Sequence, residues 1–318
     1  MLRSTLLYLS NQPRVFRFVR NNRLARAFAR RFVAGETLDD AIAAVRALNA
    51  KGITASLDEL GESVHNEQEA TATRDHYLAI LDRIAADKLD ANVSVKLTAL
   101  GLDISEDLCI RLMRSLLERA RQRGSFVRID MESSAYTERT LRLFEREFYP
   151  AYRDFVGIVL QSYLTRTASD VAKAVEWQCR VRLCKGAYKE PATVAFPAKA
   201  DVDANYASCA HTLLERGRYP GIATHDPNLI ADVKAFAKGK GISAERFEFQ
   251  MLYGVRRDLQ EDIVREGWRM RVYVPFGTQW YPYLMRRLAE RPANLMFVTG
   301  NLVREAFSRR SKSPALRS

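Results

Sequence analysis

Eight short apolar, β-branched runs, each followed by a stretch with helical spacing, fill the chain from Ile53 to Gly277. They are Ile53 to Leu57, Val93 to Leu97, Phe126 to Met131, Val156 to Leu160, Val181 to Cys184, Gly221 to Thr224, Phe247 to Met251 and Met270 to Val274. Eight such units are the period of a (β/α)8 TIM-type barrel, whose chemistry collects at the C-terminal ends of its strands. An open doubly wound sheet is the competing arrangement, and the number of units favours closure. Between the runs, Asp107 to Arg123 carries Leu108, Leu112, Leu116 and Leu117 on one stripe, and Ala168 to Trp177 repeats the pattern, so both read as amphipathic helices. The tails of the runs supply Asp58, Lys96, Asp130, Gln161, Lys185, His225, Gln250 and Tyr273.

A barrel needs roughly 250 residues, so 318 residues divide into a basic N-terminal helical extension over 1–50, a catalytic barrel over 51–307 and a disordered basic tail over 308–318. The formal charge of +12 belongs to the ends. Residues 1–35 carry eight arginines and no acid, and residues 308–318 carry four basic residues and no acid, which leaves the middle formally neutral. A nucleic-acid partner is therefore not expected. No stretch reaches the ~18 apolar residues of a spanning helix. The arginine-rich start fits a transit peptide, a cationic helix at a membrane surface, or helices packed on the barrel. Cys109, Cys179, Cys184 and Cys209 stand singly and read as reduced thiols of a cytoplasmic-type compartment. The four histidines form no HxxxH or HExxH pair, so no metal site is expected. No GxGxxG and no P-loop is present, so a Rossmann-type dinucleotide site is not encoded.

The polar strand ends carry what chemistry there is. Arg182 lies inside a strand and Lys185 at its end, directly before Gly186 and Ala187, where a glycine lets backbone approach a ligand. A buried arginine needs an anionic or strongly accepting partner. Asp130 and Lys96 on neighbouring strands offer a local ion pair, or a site for a ligand bearing both charge signs. Near the C-terminus, Arg286 and Arg287 precede Glu290, one helical turn after Arg286. By spacing alone this is a solvated salt-bridged face. The preceding Val272-Tyr-Val-Pro-Phe-Gly-Thr278 is a strand and a Pro-stiffened turn that can redirect the chain over the barrel mouth.

These residues resemble the catalytic domain of the proline dehydrogenase family in its single-function form, from about Ile53 to Glu290. The resemblance rests on Ser56-Leu-Asp-Glu-Leu-Gly-Glu62, Val95-Lys-Leu-Thr-Ala-Leu100, Arg128-Ile-Asp-Met-Glu132, Leu160-Gln-Ser-Tyr-Leu164, Arg182-Leu-Cys-Lys-Gly-Ala-Tyr188, Ala223-Thr-His225, Phe249-Gln-Met-Leu252, and Tyr273 with Tyr283-Leu-Met-Arg-Arg-Leu288, in that order. It implies a distorted barrel that holds FAD noncovalently, with the last helix above the strand ends. L-proline would be oxidised between its ring nitrogen and C5 to 1-pyrroline-5-carboxylate, the hydride going to flavin N5, as the first step of proline catabolism.

The resemblance also implies roles. Arg286, Arg287 and Lys96 would cage the substrate carboxylate, with Asp130 holding Lys96 and serving as the catalytic carboxylate near the amine. Either Asp130 or water would take the amine proton. Arg182 would point a donor at flavin N5. Gln161, Lys185, Gly186, Ala187, Tyr188, Thr224 and His225 would hold the cofactor, with Met131 along its ring. Tyr273 and Leu252 would wall the proline ring, and Tyr273 favours proline over hydroxyproline. Glu62 would act as a lid partner to one arginine, and Glu290 would belong to the substrate-binding set on the face of Arg286. Electrons would pass to a membrane quinone, and 1-pyrroline-5-carboxylate dehydrogenase would act downstream. The place implied is cytoplasmic, peripheral on the inner face of the cytoplasmic membrane, or on the matrix side of a mitochondrion. Lys189-Glu-Pro191 departs from members with an aromatic there, and the polar stretch from Lys189 to Asn205 reads as a cofactor-covering or mobile segment.

Hydroxyproline oxidation is the nearest alternative. A Schiff-base aldolase using Lys96 or Lys185 and a noncatalytic membrane scaffold are the alternatives from other classes.

Overall fold

The computed structural model describes residues 29–61 and 64–290, with side chains as far as Met285. Glu62, the side chains of Arg286, Arg287 and Glu290, residues 1–28 and the tail at 308–318 lie outside the described residues.

The strands close into one parallel barrel in sequence order, which excludes the open sheet. They are β1 (Thr54–Glu59), β2 (Ala91–Val95), β3 (Val127–Ile129), β4 (Val156–Gln161), β5 (Arg180–Cys184), β6 (Gly221–Ala223), β7 (Glu248–Leu252) and β8 (Met270–Phe276). Closure is made by β1 against β8, with Thr54 opposite Arg271 and Glu59 opposite Phe276. The helices are α1 (Leu38–Asn49), α2 (Glu67–Ala86), α3 (Glu106–Arg123), α4 (Ser134–Leu143), α5 (Tyr149–Tyr152), α6 (Thr167–Trp177), α7 (Lys199–Arg216), α8 (Pro227–Gly239), α9 (Arg257–Arg265) and α10 (Trp280–Glu290). α3 and α6 fall where the apolar stripes place them. The polar stretch from Lys189 is loop only to Ala198, because Lys199 to Asn205 form the first turns of α7.

Local chemistry sets the helix ends. The Thr37 hydroxyl accepts from Asp40 N at 3.2 Å while the Asp40 carboxylate accepts from Thr37 N at 3.2 Å, a capping box that opens α1. Asn66 and Ser105 cap α2 and α3 by accepting from Glu69 N and Leu108 N. α3 stops at Gly124, whose φ of 62° is the left-handed region that a side chain disfavours.

Each strand turns alternate residues to opposite faces. Val93, Val95, Val127, Ile129, Ile158, Leu183, Ile222, Phe249 and Val272 are fully or almost fully buried in one apolar core with the helices. Burying side chains of this size stabilises the fold by about 1.5–3 kcal/mol each. The opposite residues fill the lumen, and there this barrel departs from the usual packing by branched apolar side chains. Ser56, Ser94, Arg128, Arg182, Glu248 and Gln250 are all buried. Arg182 reaches across the lumen to Ser56 and Ser94.

At the mouth, α10 sends Tyr283 into the cavity at the strand ends. Its Trp280, Tyr281, Leu284 and Met285 form a second core with Ala29, Phe32, Val33 and Leu60, and Trp280 donates to Glu36 at 3.0 Å. No helix among the described residues is long and apolar enough to cross a membrane.

Candidate active site

A cavity of about 630 Å³ opens at the C-terminal ends of the strands, within the size range of small-molecule and cofactor sites. The sequence candidates converge on it. Lys96, Asp130 and Met131 enter from β2 and β3, Gln161 from β4, and Arg182 with Lys185, Gly186, Ala187 and Tyr188 from β5 and the turn after it. Thr224, His225, Leu252 and Tyr273 complete the wall from β6, β7 and β8.

At its centre stands Arg182, 7% exposed. Its Nε donates to Gln250 Oε1 at 2.6 Å, Nη1 to Asp130 Oδ1 at 2.7 Å, and Nη2 to Ser94 Oγ at 3.0 Å and more weakly to Ser56 Oγ at 3.4 Å. A guanidinium has five N–H donors, so these contacts fix its plane and leave one Nη1 hydrogen. The Tyr273 ring lies 5.2 Å from the guanidinium carbon, within cation–π range. The Tyr273 hydroxyl donates to Asp130 Oδ2 at 2.8 Å. Burial and the nearby Asp130 and Asp58 carboxylates hold that hydroxyl well above its usual range, so it keeps its proton and donates.

This geometry corrects one expectation. Asp130 does not hold Lys96; its oxygens accept from Arg182 and Tyr273. Lys96 instead donates to Asp58 at 3.4 Å, and Tyr77 donates to the same Asp58 oxygen at 3.3 Å. The reason is register. Asp58, on β1, is 2% exposed beside β2, whereas Asp130 faces across the lumen to β5 and β8. Asp58 was visible as a strand-end carboxylate, but sequence reasoning gave it no role. Tyr273 is likewise more than an apolar wall, because its hydroxyl is spent on Asp130.

Lys185 is bracketed by Asp203 at 2.5 Å and Asp226 at 2.9 Å, and Lys199 joins the same two carboxylates. Burial alone would raise both acids, but Lys185 and Lys199 outweigh it and hold them below the ordinary aspartate range. Sequence spacing gave no sign of this cluster, since Asp203 arrives from α7. Gly186 takes a φ of 108°, and a Cβ there would run into the Tyr163 ring. The glycine is thus required by the packing of this chain's own tyrosine, where sequence reasoning looked to close approach of a ligand. Glu190 ties the following loop down by accepting from Ser134 N at 2.7 Å, Ser134 Oγ at 2.5 Å and Tyr163 OH at 3.3 Å. His225 Nε2 accepts from Leu252 N at 3.0 Å, so that nitrogen carries no proton. Arg286, Arg287 and Glu290 lie on α10, whose Tyr283 faces the cavity; their side chains and Glu62 are outside the described residues.

The family model described as "Proline dehydrogenase" matches residues 41–300. Proline dehydrogenase 1 of Bacillus subtilis strain 168 is 41% identical over 310 residues, covering 96% of this chain and 100% of that protein. Proline dehydrogenase of Deinococcus radiodurans is 40% identical over 307 residues, covering 96% and 98%. Among solved structures, proline utilization A from Bdellovibrio bacteriovorus, inactivated by N-propargylglycine, superposes with a TM-score of 0.79 at 31% identity. It matches 87% of this chain, which spans only about a third, 34%, of that one. A family match running through all eight strands, with relatives of the same length, leads to one conclusion: the chain belongs to the proline dehydrogenase family.

Proposed function

We propose that this protein oxidises L-proline to 1-pyrroline-5-carboxylate with noncovalently bound FAD. The observation that carries the reading is the hydrogen-bonded set of Arg182, Asp130 and Tyr273, which joins a locked cation to a carboxylate in the cavity wall. The cavity also suits a flavin. Gln161 Oε1 is buried without a hydrogen-bond partner, an acceptor that the imide N–H of a flavin ring would satisfy. Arg182 keeps one N–H for the ring, and Lys185 with the turn at Gly186 and Ala187 would hold the phosphate arm. When bound, FAD would accept the two electrons and the C5 hydrogen of proline.

The chain's own residues would do the rest. Lys96, with Arg286 and Arg287, would take the substrate carboxylate, the arginines through planar forks. Asp130, preoriented by Arg182 and Tyr273, would face the substrate nitrogen. That nitrogen must lose its proton before oxidation, because only its lone pair can assist departure of the C5 hydrogen, and Asp130 is the group we assign to it. Met131, Leu252 and Tyr273 would exclude water from the reacting carbon and hold it in place. Thr224, His225 and Tyr188 would complete the cofactor wall, with Glu62 and Glu290 closing over the arginines. The Tyr273 wall favours proline over hydroxyproline. Lys96 and Lys185 each face carboxylates, the opposite of the apolar or cationic surroundings that make a lysine a Schiff-base nucleophile.

The reading extends to a membrane quinone as acceptor and to an N-terminal segment held at an anionic surface; its support is the eight arginines of residues 1–35. The product would pass to 1-pyrroline-5-carboxylate dehydrogenase. The direct test is proline-dependent reduction of an artificial dye by purified protein loaded with FAD. Turnover with proline that exceeds turnover with hydroxyproline supports the proposal, and absence of both activities from a folded, flavin-loaded protein contradicts it.

A further inference from the structure

The lower half of the barrel lumen holds more positive charge than its side chains neutralise. Arg128 on β3, Arg180 on β5 and Arg271 on β8 enter it one layer below Arg182, and Glu248 of β7 is a buried carboxylate whose charge acts on all three. Of the three it pairs with Arg271 alone: it accepts from Arg271 Nε at 2.7 Å, Gln250 Nε2 at 2.6 Å and Tyr219 OH at 3.1 Å. Neither Arg128 nor Arg180 has a carboxylate within ion-pair distance among the described residues.

Both cations also keep unused donors. Arg128 is 3% exposed, and its Nη1 is satisfied by the carbonyls of Ile158 at 3.1 Å and Arg180 at 2.6 Å. Its Nε has no partner, and neither has Arg180 Nε. The two guanidinium carbons lie 4.9 and 5.1 Å from the same Phe126 ring. Between them in register is Gly157, where a Cβ would collide with Arg128 Nη1 and the Arg180 carbonyl. β4 therefore offers no side chain between them, and the Phe126 ring, whose Cζ would also meet that Cβ, packs beside both. Burial and the Arg182 charge push Arg128 down to about 9, but a guanidinium keeps its proton in a protein, so it is a cation at pH 7. Water could satisfy the unused donors, but it cannot offset the charge.

We propose that a chloride ion binds in the N-terminal half of the lumen through unused N–H groups of Arg128 and Arg180. A monovalent halide suits the place better than phosphate, because stripping water from a multiply charged oxyanion costs more in a largely buried site. Arg180 is half-buried, and it gives the ion a way in from the solvent below the barrel.

The test uses the full chain loaded with FAD. Crystals soaked in sodium bromide should give an anomalous peak within hydrogen-bonding distance of both guanidinium groups. Replacing gluconate by chloride at constant ionic strength should raise the melting temperature by about 2 °C or more, and R180Q should abolish that rise. The proposal is overturned by a map with water alone at the arginines, by equal melting in chloride and gluconate, or by a bromide peak without any chloride dependence, which marks an adventitious ion only. A rise seen in phosphate but not in chloride also overturns it. If R180Q does not fold, the anomalous map of the unaltered protein decides.

Discussion

Arg182 and Tyr273 show how one buried charge organises the site. The arginine donates to Ser56, Ser94 and Gln250 on three other strands and to Asp130 at the end of a fourth, so its guanidinium is oriented before any ligand arrives. Arg182→Ala would leave Asp130 without its cation in a largely buried wall. Breaking such a pair costs about 3–5 kcal/mol, so we expect a large drop in urea stability and loss of bound flavin absorbance. Unchanged flavin content and unchanged single-turnover reduction would rule out the assigned role. Tyr273→Phe keeps the ring but removes one donor to a charged acceptor, worth about 1.5–3 kcal/mol. Slower flavin reduction by proline should accompany that loss; equal rates in both proteins would mean that the hydroxyl only supports the fold. The sequence shows that an inward arginine needs an anion, and it places Asp130 within reach. It does not show which strand-end acid serves which cation, because that depends on stagger around the barrel, and so Lys96 is paired with Asp58 instead.

At the scale of elements, strands are legible because apolar residues must face the helices at every second position. The expected strand positions match the observed ones to within a few residues, with Val156 opening β4 and Met270 opening β8 as expected. The start of α7 is not legible from a polar run: Ala198 makes no side-chain cap, and the helix is held by Lys199 with Asp203 and by Tyr206 buried under β5. Its Asp203 supplies half of the bracket around Lys185. Asp203 and Asp226 have folded-state pKa values below the unfolded 3.8, so their contribution to stability is present above that pH and is lost as pH falls through the folded values. Asp226→Asn should therefore lower the melting temperature at pH 7, and its difference from the unaltered protein should shrink below pH 4. A difference that stays constant from pH 7 to pH 3 would contradict the bracket. In the β5 turn, Gly186→Ala combines a φ of 108° with a collision against Tyr163. We expect weaker FAD retention on gel filtration, and full retention would mean that the turn relaxes freely.

Over the whole molecule, a strongly polar lumen sits inside an apolar shell, and α10 connects the barrel mouth to the N-terminal segment. Phe32 and Val33 are buried against Trp280, Tyr281 and Leu284, so the described end of the basic segment packs at the barrel mouth. Phe32→Ala should cost about 3 kcal/mol and, by loosening the helix that carries Arg286 and Arg287, raise KM for proline more than it lowers kcat. A KM that stays fixed would separate that packing from the substrate site. The central claim joins cofactor and substrate in one cavity, and one measurement reads both: the visible spectrum of the purified protein, before and after L-proline is added without oxygen. Flavin bands near ~450 nm, as expected of an oxidised flavin, that bleach on adding proline are the predicted result. A folded protein that stays colourless after incubation with FAD, or flavin bands that proline leaves unchanged, would contradict it.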